Sequence, residues 1–203
     1  MIDNTGAVTS IHATLLAVLG FALAARVGAA QWGISAHIGV ARFGGSSRDT
    51  AGTRVGPYRP TTFELRVDRA VGPTRLAVAV VRAKTGIAGE RAGVAVVQYD
   101  AASLWEIAPQ ASLRLARFGA GVEIRLEAGP AFELWDLNEE ARNRVGGRAA
   151  AALEWPLASG LTGSLHVNGV LSGSVFDPAD PPSGVERLAT RRIGVAVGLR
   201  YQL

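Results

Sequence analysis

Hydrophobic and polar residues alternate with period two along most of this chain. The last thirteen residues show it most plainly: Ile193, Val195, Val197, Leu199, Tyr201 and Leu203 stand on one side, and Arg192, Gly194, Ala196, Gly198, Arg200 and Gln202 on the other. Residues two apart share a face of a β-strand, so Arg191 to Leu203 predicts a strand with one aliphatic face and one small or cationic face. A dry core suits it poorly, because an unpaired guanidinium buried there is strongly unfavourable. A strand whose aliphatic side meets lipid fits it well.

The same period picks out seven more strands. Trp32 to Phe43 sets Trp32, Ile34, Ala36, Ile38 and Val40 against Gly33, Ser35, His37, Gly39 and Ala41. Thr61 to Arg69 sets Phe63, Leu65 and Val67 against Thr62, Glu64, Arg66 and Asp68. Arg75 to Lys84 is apolar on both faces, which leaves its orientation open. Leu104 to Leu115 opposes Trp105, Ile107, Ala111, Leu113 and Leu115 to Glu106, Gln110, Ser112 and Arg114. Val122 to Trp135 has the sharpest contrast, with Ile124, Leu126, Phe132 and Leu134 against Glu123, Arg125, Glu127 and Glu133. Val145 to Leu157 and Leu161 to Val175 complete the set, with Arg148, Glu154, Ser164, His166 and Asn168 on their polar faces. Pro109 and Pro130 each delete a ladder donor, and a local bulge is expected at each.

Connection lengths then argue topology. Gly44 to Pro60, residues 85 to 103, Asp136 to Asn143 and Phe176 to Thr190 are long (about 17, 19, 8 and 15 residues), whereas Gly72-Pro73, the turn at Phe118 to Gly121 and Ala158 to Gly160 are short. Val94 to Tyr99 could extend a strand into the second long connection. Long and short connections fall at opposite rims, and an even strand count brings both termini to the short-turn rim. Trp32, Trp155 and Tyr201 lie on apolar faces at that rim, and Phe63, Trp105 and Phe132 toward the other, as two aromatic girdles. The pattern predicts an all-β, eight-stranded, antiparallel up-and-down transmembrane barrel.

Composition sharpens this picture at the N-terminus. Ile11 to Ala25 is an almost unbroken apolar run followed by Arg26-Val-Gly-Ala-Ala30, which reads as a signal peptide over residues 1–30, cleaved before Gln31, leaving a barrel domain over 31–203. The segment before His12 lacks the usual positive charge; a transmembrane anchor is the alternative. The formal net charge of +4 is modest and dispersed, so nucleic-acid binding is not expected. The absence of cysteine excludes thiolate metal sites and disulfides, and no metal or cofactor motif is present.

The chain over 31–203 resembles the small eight-stranded bacterial outer-membrane β-barrels of the outer-membrane protein A and X type. The resemblance rests on the architecture and on Gly194-Val-Ala-Val-Gly-Leu-Arg-Tyr-Gln-Leu203, which is similar to the closing strand that such proteins present to the outer-membrane insertion machinery. That strand commonly ends in Phe; here it ends in Leu203 with Tyr201 two before it. The resemblance implies a location in the outer membrane, contact with its lipids and a monomeric barrel, but not an activity.

Charge on the polar faces bears on function more directly. Glu64, Asp68, Glu106, Glu123, Glu127, Glu133 and Glu154 are expected to face inward with Arg66, Arg114, Arg125, Arg148, Arg192 and Arg200, seven acids against six bases. An eight-stranded barrel has an interior that side chains fill, so a balanced ionic network reads as a polar plug, and function then falls to the long loops. Two other classes stand beside this structural or surface-interaction reading. One is a lipid-modifying enzyme using Ser164 as nucleophile and His166 as base, although residues two apart on a strand are about 7 Å apart. The other is a secreted lipocalin-like binder with its aliphatic faces, Ile124, Leu126, Leu165 and Val195 among them, turned inward.

Overall fold

The alternating segments pair side by side until no sheet edge is left. The computed structural model describes residues 32–44, 47–48, 54–91, 94–137, 140–176 and 186–203. Eight long strands form the ring: β1 (Trp32–Gly44), β2 (Arg54–Val71), β3 (Thr74–Arg91), β4 (Val94–Phe118), β5 (Val122–Leu137), β6 (Glu140–Ala158), β7 (Leu161–Ser172) and β8 (Thr190–Gln202). Each pairs antiparallel with its neighbours in sequence, and β8 returns to β1 with Val40 opposite Val195 and Ile34 opposite Tyr201. Two short strands, Ser47–Arg48 and Glu186–Arg187, pair with each other, and the first also pairs with β2. Among the described residues there is no helix. The expected signal peptide, 1–30, lies outside the described residues.

The strands run further than alternation predicts. Crossing a bilayer takes about 9–11 residues per tilted strand, whereas β2, β3, β4 and β6 have 18, 18, 25 and 19. Residues 85 to 103, expected as a long connection, are a hairpin in which Ala88 pairs with Val97 and Arg91 with Val94, so Val94 to Tyr99 is strand. Most of Asp136 to Asn143 is likewise strand, and so is the second part of Gly44 to Pro60. The backbone ladder continues without an apolar face, since pairing needs only N–H and C=O groups. The seventh strand stops at Ser172, short of the expected Val175, because the chain turns there and buries Val175 completely.

The two prolines do not produce the expected bulges. Pairing of β4 with β5 lapses between Ile107–Phe132 and Ala111–Ala128 and resumes in the same register, which sets Pro109 opposite Pro130. On their other sides the ladders pass through both, Val78 opposite Pro109 and Pro130 opposite Gly147. Both missing donors fall in one rung, so one gap accommodates both. The register shifts lie elsewhere, between Tyr58 and Thr61, Thr85 and Ile87, Arg114 and Ala116, and Pro156 and Ala158.

The two faces of the sheet separate cleanly. Leu65, Ile193 and Val40 are 65%, 65% and 64% exposed, and Ile34, Ile38, Leu126, Leu165, Val195, Val197 and Leu199 are exposed with them. An apolar surface of this extent is far larger than soluble monomers carry. It also overturns the lipocalin-like reading, which required those side chains inside. The open orientation of β3 is resolved too: Ala77, Ala79, Val81 and Ala83 are buried within the ring, while Leu76, Val78 and Val80 face out. Size decides what polarity could not, because the narrow interior must also hold arginines.

Candidate functional site: the ionic interior

Seven acidic and seven arginine side chains meet inside the ring, and many of their contacts run across the bore rather than along the wall. Glu106 on β4 is fully buried. Its Oε1 accepts from Arg148 Nη1 of β6 at 2.8 Å, and its Oε2 accepts from Arg192 of β8. Arg148 also donates to Glu64 of β2 at 2.5 Å. In a ring of eight, β4 faces β8 and β2 faces β6, so two of these contacts are diameters. Glu133 of β5 lies beside them, accepting from Ser172 Oγ at 2.7 Å and Trp135 Nε1 at 3.1 Å.

A second group lies toward the short-turn rim. Arg66 of β2 donates to Glu127 of β5 at 2.7 Å. Gln110, with its amide oriented to suit both neighbours, donates to Glu127 at 3.2 Å and accepts from Arg148 Nε at 3.1 Å, tying the two groups together. Arg200 of β8 holds Asp68 of β2 through two nitrogens, Nε and Nη2, at 2.9 and 2.7 Å, a geometry that favours charge-assisted bonds. At the rim, Arg75 donates to both oxygens of Glu154 at 2.6 and 2.7 Å. Glu123 accepts from Arg114 at 3.1 Å and Arg125 at 3.0 Å, and Arg125 Nε also donates to Ser112 Oγ at 2.9 Å.

All thirteen of the charged residues expected to face inward therefore take part in ion pairs of the interior. Sequence reasoning missed Arg75, whose strand could not be oriented; it shares parity with Ala77 and Ala79, the small-residue face. It also missed the apolar layer above the charges. Ala83, Ala102, Leu104, Trp135, Leu137 and Val175 cluster within the mouth, with Phe43, Ile87 and Phe176 packed against them. Alternation does carry this signal, because Trp135 and Leu137 share the face of Glu133.

Ser164 and His166 are both buried inside, but they do not bond to each other. Ser164 instead lies 3.1 Å from His37 Nε2. His37 and Ser164 both stand opposite Gly198 of β8, from β1 on one side and β7 on the other. The imidazole crosses over that glycine, and a Cβ there would sit 2.0 Å from His37 Cδ2. His37 Nδ1 is 3.7 Å from Glu64, His166 Nδ1 is 3.8 Å from Glu127, and the two rings are 4.5 Å apart. The order serine, imidazole, carboxylate has the outline of an activated nucleophile, yet every member is on the inner face. The neighbouring space holds about one water and is lined by His37, Glu64, Arg148, Asn168 and Arg192. Among the described residues no group of three metal-ligating side chains converges.

On the outside, Phe63, Trp105 and Phe132 are exposed toward the long-connection rim, and Arg82 lies 4.5 Å from the Trp105 ring centre. Tyr201 is exposed at the other rim, Trp32 is half-buried against Arg69 at 5.6 Å, and Trp155 lies across Gly163 of the next strand.

No family model matches the chain, and no curated protein matches it. Solved structures do. Neisserial surface protein A is similar at 13% identity and TM-score 0.56, over 85% of this chain and 97% of that one. Outer membrane protein OprG from Pseudomonas aeruginosa is similar at 10% identity and TM-score 0.58, over 86% and 96%. Outer membrane protein AlkL, determined in lipid bilayers, is similar at 13% identity and TM-score 0.53, over 89% and 93%. The chain has the fold of the small outer-membrane β-barrels.

Proposed function

We propose that the protein is a monomeric barrel of the bacterial outer membrane whose lumen is closed, and which acts as a structural or surface-interaction protein through its exposed hairpins. Residues 1–30 serve as its export signal, and β8 is the strand offered to the insertion machinery. Support for the location comes from the fold, the continuous apolar outer face and the girdles, and from the similarity to outer-membrane proteins OprG and AlkL. The observation that carries the closed lumen is the pair of contacts across the full bore, Arg192 to Glu106 and Arg148 to Glu64. Among the described residues acids and arginines line the interior together, which leaves no one-signed lining to draw ions through. The apolar layer around Trp135 lies over them.

Purified protein in a planar bilayer is accordingly expected to give no stable, large single-channel currents. Sustained ohmic conductance from folded barrels would contradict the closed lumen. Lipid modification is the competing reading, and the bond between Ser164 and His37 is what favours it. Its substrate would have to reach the inner face of β7, whereas the apolar surface that meets lipid is the outer one.

A further inference from the structure

We infer that the outer face of β8, β1, β2 and β3, at the long-connection end of the apolar belt, is a docking surface for a phosphate-bearing lipid headgroup. This rests on the membrane reading above. Arg191, Arg42 and Lys84 are exposed and point outward there. Adjacent register positions bring them together: Arg191 stands opposite Gly44, two residues beyond Arg42; Val40, two residues before Arg42, pairs with Thr61, and Thr61 pairs with Lys84. At about 5 Å per strand and about 3.3 Å per residue, the three cations span about 15 Å across the strands and about 13 Å along them. Arg82, one outward position below Lys84, lies over Trp105.

Three features select a lipid rather than a soluble anion or a protein loop. Each cation continues a lipid-facing stripe, Arg42 after Val40, Arg191 before Ile193, and Lys84 above Val80, so a ligand reaching them from the side lays its apolar part on those side chains. Over 190–202, 32–44, 61–71 and 74–84 the outward positions of these four strands hold no Asp or Glu, and among the described residues none of the three exposed cations has a carboxylate partner. The cations are also grouped on this side: at the same end of the barrel, on β5 and β6, exposed Asp136 and Glu140 accompany Arg142 and Arg144, with Glu140 held by Arg142. Basic groups at headgroup height attract anionic lipid at a gain that accumulates with each residue.

The test uses the full folded barrel with two probe lipids, diphosphoryl lipid A and its fully dephosphorylated form, each titrated in detergent and followed by native mass spectrometry. The diphosphoryl form should bind at least about tenfold tighter. Single replacements Arg42→Gln, Lys84→Gln and Arg191→Gln should each weaken it about fivefold, and the triple variant about a hundredfold. Arg117→Gln, at the opposite rim, should change nothing, and heat-modifiable gel migration reports that each variant is folded. Equal binding of the two lipids, or a triple variant that binds like wild type, would overturn the inference. Displacement by millimolar inorganic phosphate would overturn it as well, since the site would then recognise a small anion rather than an anchored headgroup. Protein that folds but fails to enter vesicles would overturn the membrane reading along with it, whereas protein that enters without a headgroup preference sinks the inference alone.

Discussion

Replacing Glu106 by alanine should destabilise the barrel more than any other single truncation in the lumen, by about 3–5 kcal/mol. Its two oxygens hold Arg148 and Arg192 from opposite sides of a site with no exposure to solvent, so its loss leaves two guanidiniums with missing counter-charges in a low-dielectric interior. Arg148 retains Glu64, whereas the remaining carboxylate beside Arg192 among the described residues is Glu133 at 3.9 Å. Urea titration of the protein folded in detergent, read by heat-modifiable migration, checks this. A double variant that also replaces Arg192 should lose less than the two single losses combined, because contacting residues are not additive. Wild-type stability in Glu106→Ala would mean that the bore is wet enough to solvate both arginines.

Deleting Tyr201 to Leu203 should reduce assembled barrel by at least about tenfold, through loss of several closing hydrogen bonds worth about 1 kcal/mol each. Tyr201 pairs with Ile34 on one side and Leu161 on the other, Gln202 N–H donates to Gly160 O at 2.8 Å, and Leu203 N–H donates to Trp32 O at 2.9 Å. These bonds stitch the last strand to both neighbours, and without them two edges are exposed. Shortening the connection between β7 and β8 should matter far less, because closure entropy changes by only about 0.6 kcal/mol per doubling of loop length. The comparison is read as the fraction of protein in the outer-membrane fraction that migrates as the folded form. Equal defects would count against closure as the step that secures assembly.

Alternation revealed the barrel because a membrane barrel imposes opposite solvents on its two faces, and every strand with a charged inner face carries that record. It failed where the record is absent. The segment Leu76 to Val81 is apolar on both faces, and only the smallness of Ala77 and Ala79 tells which side shares space with arginine. The hairpin from 85 to 103 was hidden for another reason: its residues do not sort into one apolar and one polar face, so paired strand and loop look alike in the sequence. The expected bulges at Pro109 and Pro130 treated each proline alone, whereas their opposition in one rung is a pairing fact. The interior charges could be assigned to a face from sequence, but not their partners. Ser164 meets His37, 127 residues away in sequence, because the glycine at 198 between them lets the ring cross a whole strand.

The central claim is a lipid-facing exterior around a filled interior, and Ala149 to Ala152 of β6 test it with one residue type on both faces. All four are alanine, with Ala149 and Ala151 exposed and Ala150 and Ala152 buried. The chain has no cysteine, so each can be replaced singly by Cys and spin-labelled in lipid vesicles. Labels at 149 and 151 are predicted to be mobile, accessible to oxygen and shielded from a water-soluble nickel complex, and labels at 150 and 152 immobile and reached by neither. Nickel access at 150 and 152 would contradict the filled lumen, and oxygen access at 150 and 152 in place of 149 and 151 would contradict the barrel's orientation altogether.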